Sequence, residues 1–225
     1  MEFHVFENVT TDRTTTGRGA ASLMDSREAW WSPSPYSYKK NGAFMAQPID
    51  TLYAARVQMS DVLEENFGIT VESHYHGVSQ TAQQNLNIGM KPLKQGADAV
   101  STTKFVAKNL TAIASAHCTF MPYPVEGEKG STFGMKQSLF KTADNNMFYD
   151  ASDEYAQLSQ TGRYYIGGLL EHAPALCVFT NPNSNSYKRL AANPMFLAWS
   201  RLNKQAAVQV PHLKKNDKDG KYALY

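Results

Sequence analysis

The chain's 225 residues, 42% of them hydrophobic and 12% aromatic, suffice for one large domain or two small ones that bury roughly 70–75% of the unfolded surface, which excludes intrinsic disorder as the default. Lysine and arginine (22) nearly balance aspartate and glutamate (20), leaving a net charge of +2, so neither a basic nucleic-acid surface nor an acidic tail is indicated. Two cysteines are too few for a disulfide framework and fit a soluble protein of the reducing cytoplasm.

The start, Met-Glu-Phe-His-Val-Phe, lacks the charged and apolar regions of a signal peptide, and residues 3–6 predict a strand. Residues 9–22 are rich in Thr, Ser, Gly and Arg without periodicity and run on into the aromatic, proline-containing 30–40. A long loop or a pair of weak strands is expected there. Asp50 predicts an N-cap, after which Leu52, Ala55, Met59, Val62 and Leu63 recur at helical spacing until Gly68 stops them. Over 69–78 the pattern becomes β-branched, and period-two alternation places Glu72, His74 and His76 on one face of a strand.

A second helix is predicted over 97–115, with Val100, Ala107, Leu110 and Ala114 on one stripe. Strands over 117–123 and 135–141 flank a glycine-containing loop, 126–134. Ser159 caps a third helix carrying Tyr165, Ile166, Leu169, Leu170 and Ala173, which ends before Pro174. A polar turn over 181–187 precedes strands over 196–200 and 206–210. The most apolar stretch, 164–179, is interrupted by Glu171, His172 and Pro174, so no membrane span is expected. The pattern is α+β, a layer of helices on a mostly antiparallel sheet.

Taken alone, the Glu72-x-His74-x-His76 face offers a carboxylate and two imidazoles suited to zinc or manganese, although strand histidines also serve as hydrogen-bonded core or rim residues. Gly127, Gly130 and Gly134, with Lys129, Lys136 and Lys141 nearby, form either a phosphate-approaching loop or a plain hairpin turn. The run matches neither a P-loop nor a dinucleotide fingerprint. Cys118 reads as an inert core thiol, and no G-x-S-x-G supports a nucleophile. Lys214, Lys215, Lys218 and Lys221, mixed with Asp217 and Asp219, read as a solvated tail, with contact to an anionic partner as the alternative.

Several blocks in order resemble the bacterial-type glutamine synthetase family. They are Thr180-Asn-Pro-Asn-Ser-Asn-Ser-Tyr-Lys-Arg-Leu190, Phe120-Met-Pro-Tyr-Pro124, Gly130-Ser131, Gln137-Ser-Leu139, Tyr164-Tyr-Ile-Gly-Gly168 with His172-Ala173, and Ala198-Trp-Ser200. Pro48-Ile-Asp50 with Arg56, and Ala97-Asp98 with Lys104, extend the likeness over nearly the whole chain. The resemblance implies a single catalytic domain over 1–225, its antiparallel strands forming a curved half-barrel or funnel backed by helices. The family's N-terminal domain and C-terminal helical extension are expected to be absent, and a monomer or small homo-oligomer is expected rather than a ring. It also implies ATP-dependent ligation of glutamate and ammonia, with Mg²⁺ or Mn²⁺ neutralising the transferred phosphoryl group.

The residues that the resemblance assigns to that chemistry are mostly replaced. Of the first ion's carboxylates Glu2 remains, while the others fall at Gly77 and Asn85. For the second ion one glutamate would precede Met1, a histidine falls at Gly134, and a late glutamate falls at Ala223. Other site positions hold Lys136, Leu202, Lys204, Gln209 and Ala43, and Met195 stands near the place of the lid glutamate. What persists by resemblance is Glu72 and Ser138 as nucleotide contacts and Gly130 and Arg189 as glutamate contacts, with Arg189 equally suited to bracing its own loop. Glycine offers a hard cation no side-chain oxygen. The expectation is therefore a degenerate, inactive member of the family. The alternatives are an active ligase with a site rebuilt from Glu2, Glu72, His74, His76 and Glu126, or a non-catalytic nucleotide- or amino-acid-binding module.

Overall fold

The computed structural model describes residues 1–12, 14, 21–37, 42–142 and 145–211. They divide into two compact units, Met1–Phe133 and Gly134–Tyr225.

In the first unit, strand β1 (Glu2–Phe6) is followed by a hairpin, β2 (Asn8–Asp12) and β3 (Ala21–Asp25), then helix α1 (Tyr53–Phe67), strands β4 (Val71–His76) and β5 (Gln83–Ile88), helix α2 (Leu93–Ile113) and β6 (His117–Thr119). Strands β4, β5, β1 and β6 pair in that order into one antiparallel sheet. Alternation along β1 sends Phe3 and Val5 to one face, where they pack with Leu86 of β5, Met59 of α1 and Ala107 of α2. The opposite face is polar, because the register sets Glu2 against Asn85 and His4 against Gln83.

Helix α1 stops where the sequence indicates: Gly68 adopts φ +60°, and its N–H bonds back to the last turn. Its start differs from expectation. Asp50 is not the cap, since Leu52 holds that position, and Asp50 is instead buried against Arg56. Strand β5 carries almost no β-branched residues and was not predicted; it pairs with β1 and β4, buries Leu86 in the core, and bonds through polar side chains on both faces. The expected weak strands are the β2–β3 hairpin, and the strand expected over 117–123 shortens to three residues.

The second unit holds β7 (Phe140–Thr142), β8 (Asn145–Asn146), α3 (Gln160–Glu171), α4 (Ala173–Thr180), α5 (Ser184–Ala192), β9 (Phe196–Ser200) and β10 (Ala206–Gln209). Ser159 caps α3 as predicted, its side chain accepting from the Gly162 N–H at 3.1 Å. Pro174 does not end the helical region. It sits in the first turn of α4, where its missing N–H costs no bond. The polar turn contains a second cap, with Asn183 Oδ1 accepting from the Ser186 N–H at 3.0 Å, and α5 follows. Phe148, Leu158, Ile166, Val208 and Val210 form this unit's core. No helix among the described residues is long and apolar enough to cross a membrane.

Candidate functional site

The polar face of the β1–β5 pair holds Glu2, and its carboxylate is surrounded by donors. Oε2 accepts from the Thr132 N–H and the Thr132 hydroxyl, each at 2.7 Å, and from Gln83 Nε2 at 3.4 Å. Oε1 accepts from Asn85 Nδ2 at 3.4 Å. The protein thus supplies four donors, three of them to Oε2 and one to Oε1.

Gln83 is the hub of this face. Its Nε2 also donates to the Gly130 carbonyl at 3.2 Å and to Ser131 Oγ at 3.4 Å, while its Oε1 accepts from the Ser79 N–H at 2.9 Å. A Cβ added to Gly77 would stand 2.6 Å from Gln83 Cγ and 2.7 Å from Oε1. Residue 77 therefore cannot bear a side chain there unless Gln83 moves. Beside them His4 is fully buried, with Nδ1 at 3.0 Å from Ser131 Oγ. Burial first, then the charge of His76, pushes its pKa down to about 3, so the ring is neutral. His4 Nε2 and Asn85 Oδ1 are buried without a hydrogen-bond partner among the described residues. A neutral imidazole and a neutral amide bring no charge to balance a divalent ion, and Asn85 turns its NH₂ toward Glu2. Glu2 is the one charged oxygen donor among these groups, so they leave the charge of Mg²⁺ or Mn²⁺ largely unbalanced and fit such an ion poorly. Among the described residues no group of three or more His, Cys, Asp or Glu could hold a metal ion.

The helix-facing side of the sheet holds the two histidines singled out above, but not together with Glu72. A register shift between Val71 and Ser73 takes Glu72 out of the alternation. His74 Nδ1 accepts from Arg56 Nε at 3.4 Å, and burial followed by the Arg56 charge lowers its pKa. Arg56 Nη1 donates to Asp50 Oδ1 at 2.9 Å, Arg56 also bonds Gln84, and both members of the Arg56–Asp50 pair are buried. His76 Nε2 lies 2.9 Å from Glu28 Oε2, and Glu28 Oε1 accepts from the N–H and hydroxyl of Thr51, each at 2.6 Å. Burial opposes the charge of His76, yet the Glu28 hydrogen bond and carboxylate, the Gly77 carbonyl and Asp50 raise its pKa overall. The sheet thus uses both histidines as bonded structural groups with separate partners.

Four N–H groups of the glycine-containing loop are already bonded within the protein. Gly127 N–H donates to the Tyr123 hydroxyl at 2.8 Å, Glu128 N–H to Val125 O at 3.4 Å, Ser131 N–H to Pro122 O at 2.8 Å, and Thr132 N–H to Glu2. Those donors are not available to a phosphate. Glu128 Oε2 ties the loop to Ser79 Oγ and the Gln80 N–H, both at 3.3 Å. Cys118 is a free thiol that burial pushes up to about 12, the inert behaviour expected of it.

Of the residues singled out by resemblance, Glu2 and Gly130 come together through Gln83. Glu72 lies in the β4 bulge and is exposed. Ser138 and Arg189 belong to the second unit: Ser138 Oγ is buried without a hydrogen-bond partner among the described residues, and Arg189 Nη1 lies 3.7 Å from Met195 Sδ. The lysine-rich tail and Ala223 lie outside the described residues. Gln83, Thr132 and Glu28 were not anticipated; nothing in a lone glutamine or threonine announces its partners.

The protein-family model described as "Glutamine synthetase, catalytic domain" matches residues 1–222. A glutamine synthetase of Sulfolobus acidocaldarius is 37% identical over 230 residues, covering 100% of this chain and 49% of that protein. A 3-hydroxylaminophenol mutase of Cupriavidus pinatubonensis is 36% identical over 224 residues, covering 94% and 46%. The cryo-EM structure of Plasmodium falciparum glutamine synthetase superposes with a TM-score of 0.88 at 25% identity, covering 99% of this chain and 45% of that one. The chain spans about half the length of the curated relatives it matches. With an α+β fold of antiparallel sheet and packed helices, and a family match that runs from Glu2 through the asparagine-rich segment to the last strand, this chain belongs to the glutamine synthetase family and has the fold of its catalytic domain.

Proposed function

We propose that this chain is a degenerate glutamine synthetase catalytic domain that does not ligate glutamate and ammonia. One observation carries the reading: the carboxylate of Glu2 is held by four hydrogen-bond donors of the protein, with Gly77 and Asn85 standing where the resemblance assigns further carboxylates. Phosphoryl transfer relies on metal charge to stabilise the phosphate oxygens, and loss of a single preorganised contact of that kind costs a factor of ~10² to 10³ in rate. Family membership does not dictate the reaction, since a relative of similar identity bears the name of a mutase. Gly130 and Arg189 as glutamate contacts, and Glu72 and Ser138 as nucleotide contacts, are retained remnants in this reading, and both units are parts of one catalytic domain.

The test is phosphate release from ATP with Mg²⁺ or Mn²⁺, glutamate and ammonia, with hydroxylamine as a second acceptor. The expected rate is that of a protein-free control. Turnover that saturates with glutamate and disappears in Glu2→Ala would establish the active, rebuilt ligase instead. Calorimetry with ATP and with glutamate separates a binding module, which releases heat without turnover, from a fold that binds neither.

A further inference from the structure

We infer that the Gln83 carboxamide takes over the bridging role of a cation on this face, and that Glu2 acts as a latch for the 130–132 segment rather than as a metal ligand. The inference rests on the degenerate reading above and adds to it what the emptied site now does.

Three observations converge. The Gln83 NH₂ group gathers three oxygens from two separate parts of the chain: Glu2 Oε2 from β1, and the Gly130 carbonyl and Ser131 Oγ from the loop. A cation would draw such oxygens together; the uncharged amide faces all three with two hydrogens, one of them shared between two oxygens. Next, Gln83 lies in the space a side chain at Gly77 would need, so the bare backbone at 77 and the inward position of Gln83 go together. Finally, direct hydrogen bonds tie the loop to the sheet. Thr132 donates twice to Glu2, Glu2 N–H donates to Thr132 O at 3.1 Å, and Ser131 Oγ meets His4 Nδ1.

The consequence is a loop whose closure is independent of metal and dependent on Gln83. Electron paramagnetic resonance of Mn²⁺ titrated with the full, chelator-treated chain is expected to show only free ion, and the amide exchange of Ser131 and Thr132 is expected to be unchanged by Mn²⁺. In Gln83→Ala those two amides should exchange about tenfold faster, the effect of losing a hydrogen bond's worth of local protection. Glu2→Gln should accelerate Thr132 similarly. Stoichiometric Mn²⁺ binding by the wild-type chain that vanishes in Glu2→Gln would overturn the proposal, as would exchange at 131–132 that is slowed by Mn²⁺ or indifferent to Gln83→Ala. Each readout separates this inference from the functional one. Turnover without Mn²⁺ at Glu2 would refute inactivity and leave the latch, whereas Mn²⁺ at Glu2 without turnover would do the reverse.

Discussion

The imidazole of His76 and the carboxylate of Glu28, 48 residues apart, meet at 2.9 Å with neither side chain exposed. Through Thr51, the same carboxylate fastens the segment that leads into α1. Removing one member of such a buried pair strands the other, at a cost of about 3–5 kcal/mol. Glu28→Ala is expected to lower stability by that amount in urea unfolding; a change under about 1 kcal/mol would show the pair to be dispensable.

His4 and His76 shape the pH dependence in opposite directions. His4 falls from the ordinary 6.5 to about 3, so between those values the unfolded chain binds the additional proton, and stability falls as pH falls. The slope is about 1.4 kcal/mol per pH unit. His76 is raised above 6.5, so its contribution is complete below that value and is lost as pH rises through the raised one. Stability is expected to peak near 6.5, and His4→Gln should flatten the acid limb. Equal acid slopes in the two proteins would refute this assignment.

Arg56 and Asp50 are both buried, and Gln84 and His74 complete the arginine's contacts. Asp50→Leu alone leaves a guanidinium without its counter-charge and should cost about 3–5 kcal/mol, whereas Arg56→Met with Asp50→Leu removes both charges and should recover most of that loss. A double variant no more stable than the single one would argue against an electrostatic cause.

The conflict between Gly77 and Gln83 predicts coupling. Gly77→Ala should destabilise the fold by about 1–3 kcal/mol through overpacking. In a Gln83→Ala background the same substitution should cost markedly less, a coupling of at least about 0.5 kcal/mol in a double-mutant cycle. Additive effects would mean that the two positions do not compete for space.

Ser159→Ala removes the α3 cap and should cost about 1 kcal/mol, read as a lower thermal midpoint. Ser159→Asn should retain most of the stability, and equal loss in both variants would exclude the capping role.

Much of the fold was legible because its signals are local. The Ser159 cap, the Gly68 stop and the apolar spacing of α1 are interactions among residues within a turn or two of one another. Strand β5 was illegible for the opposite reason. Gln83, Gln84 and Asn85 are buried, yet they lack β propensity and belong in the sheet only because Glu2, Arg56 and Ser131 wait on its two faces. The Glu72, His74 and His76 alternation failed at a bulge, which period-two counting cannot detect. Pro174 does mark the end of α3, which stops at Glu171, but nothing local announced the new helix, α4, that begins at Ala173.

By itself the sequence determined the α+β class and the resemblance to the family, because both are written in residue identity and short spacing. Tertiary structure decided how the residues around Glu2 are joined. Thr132 reaches Glu2 across 130 positions and Gln83 across 81. Neutral side chains of this kind acquire their roles only when the register of two strands and the return of a loop set donor against acceptor.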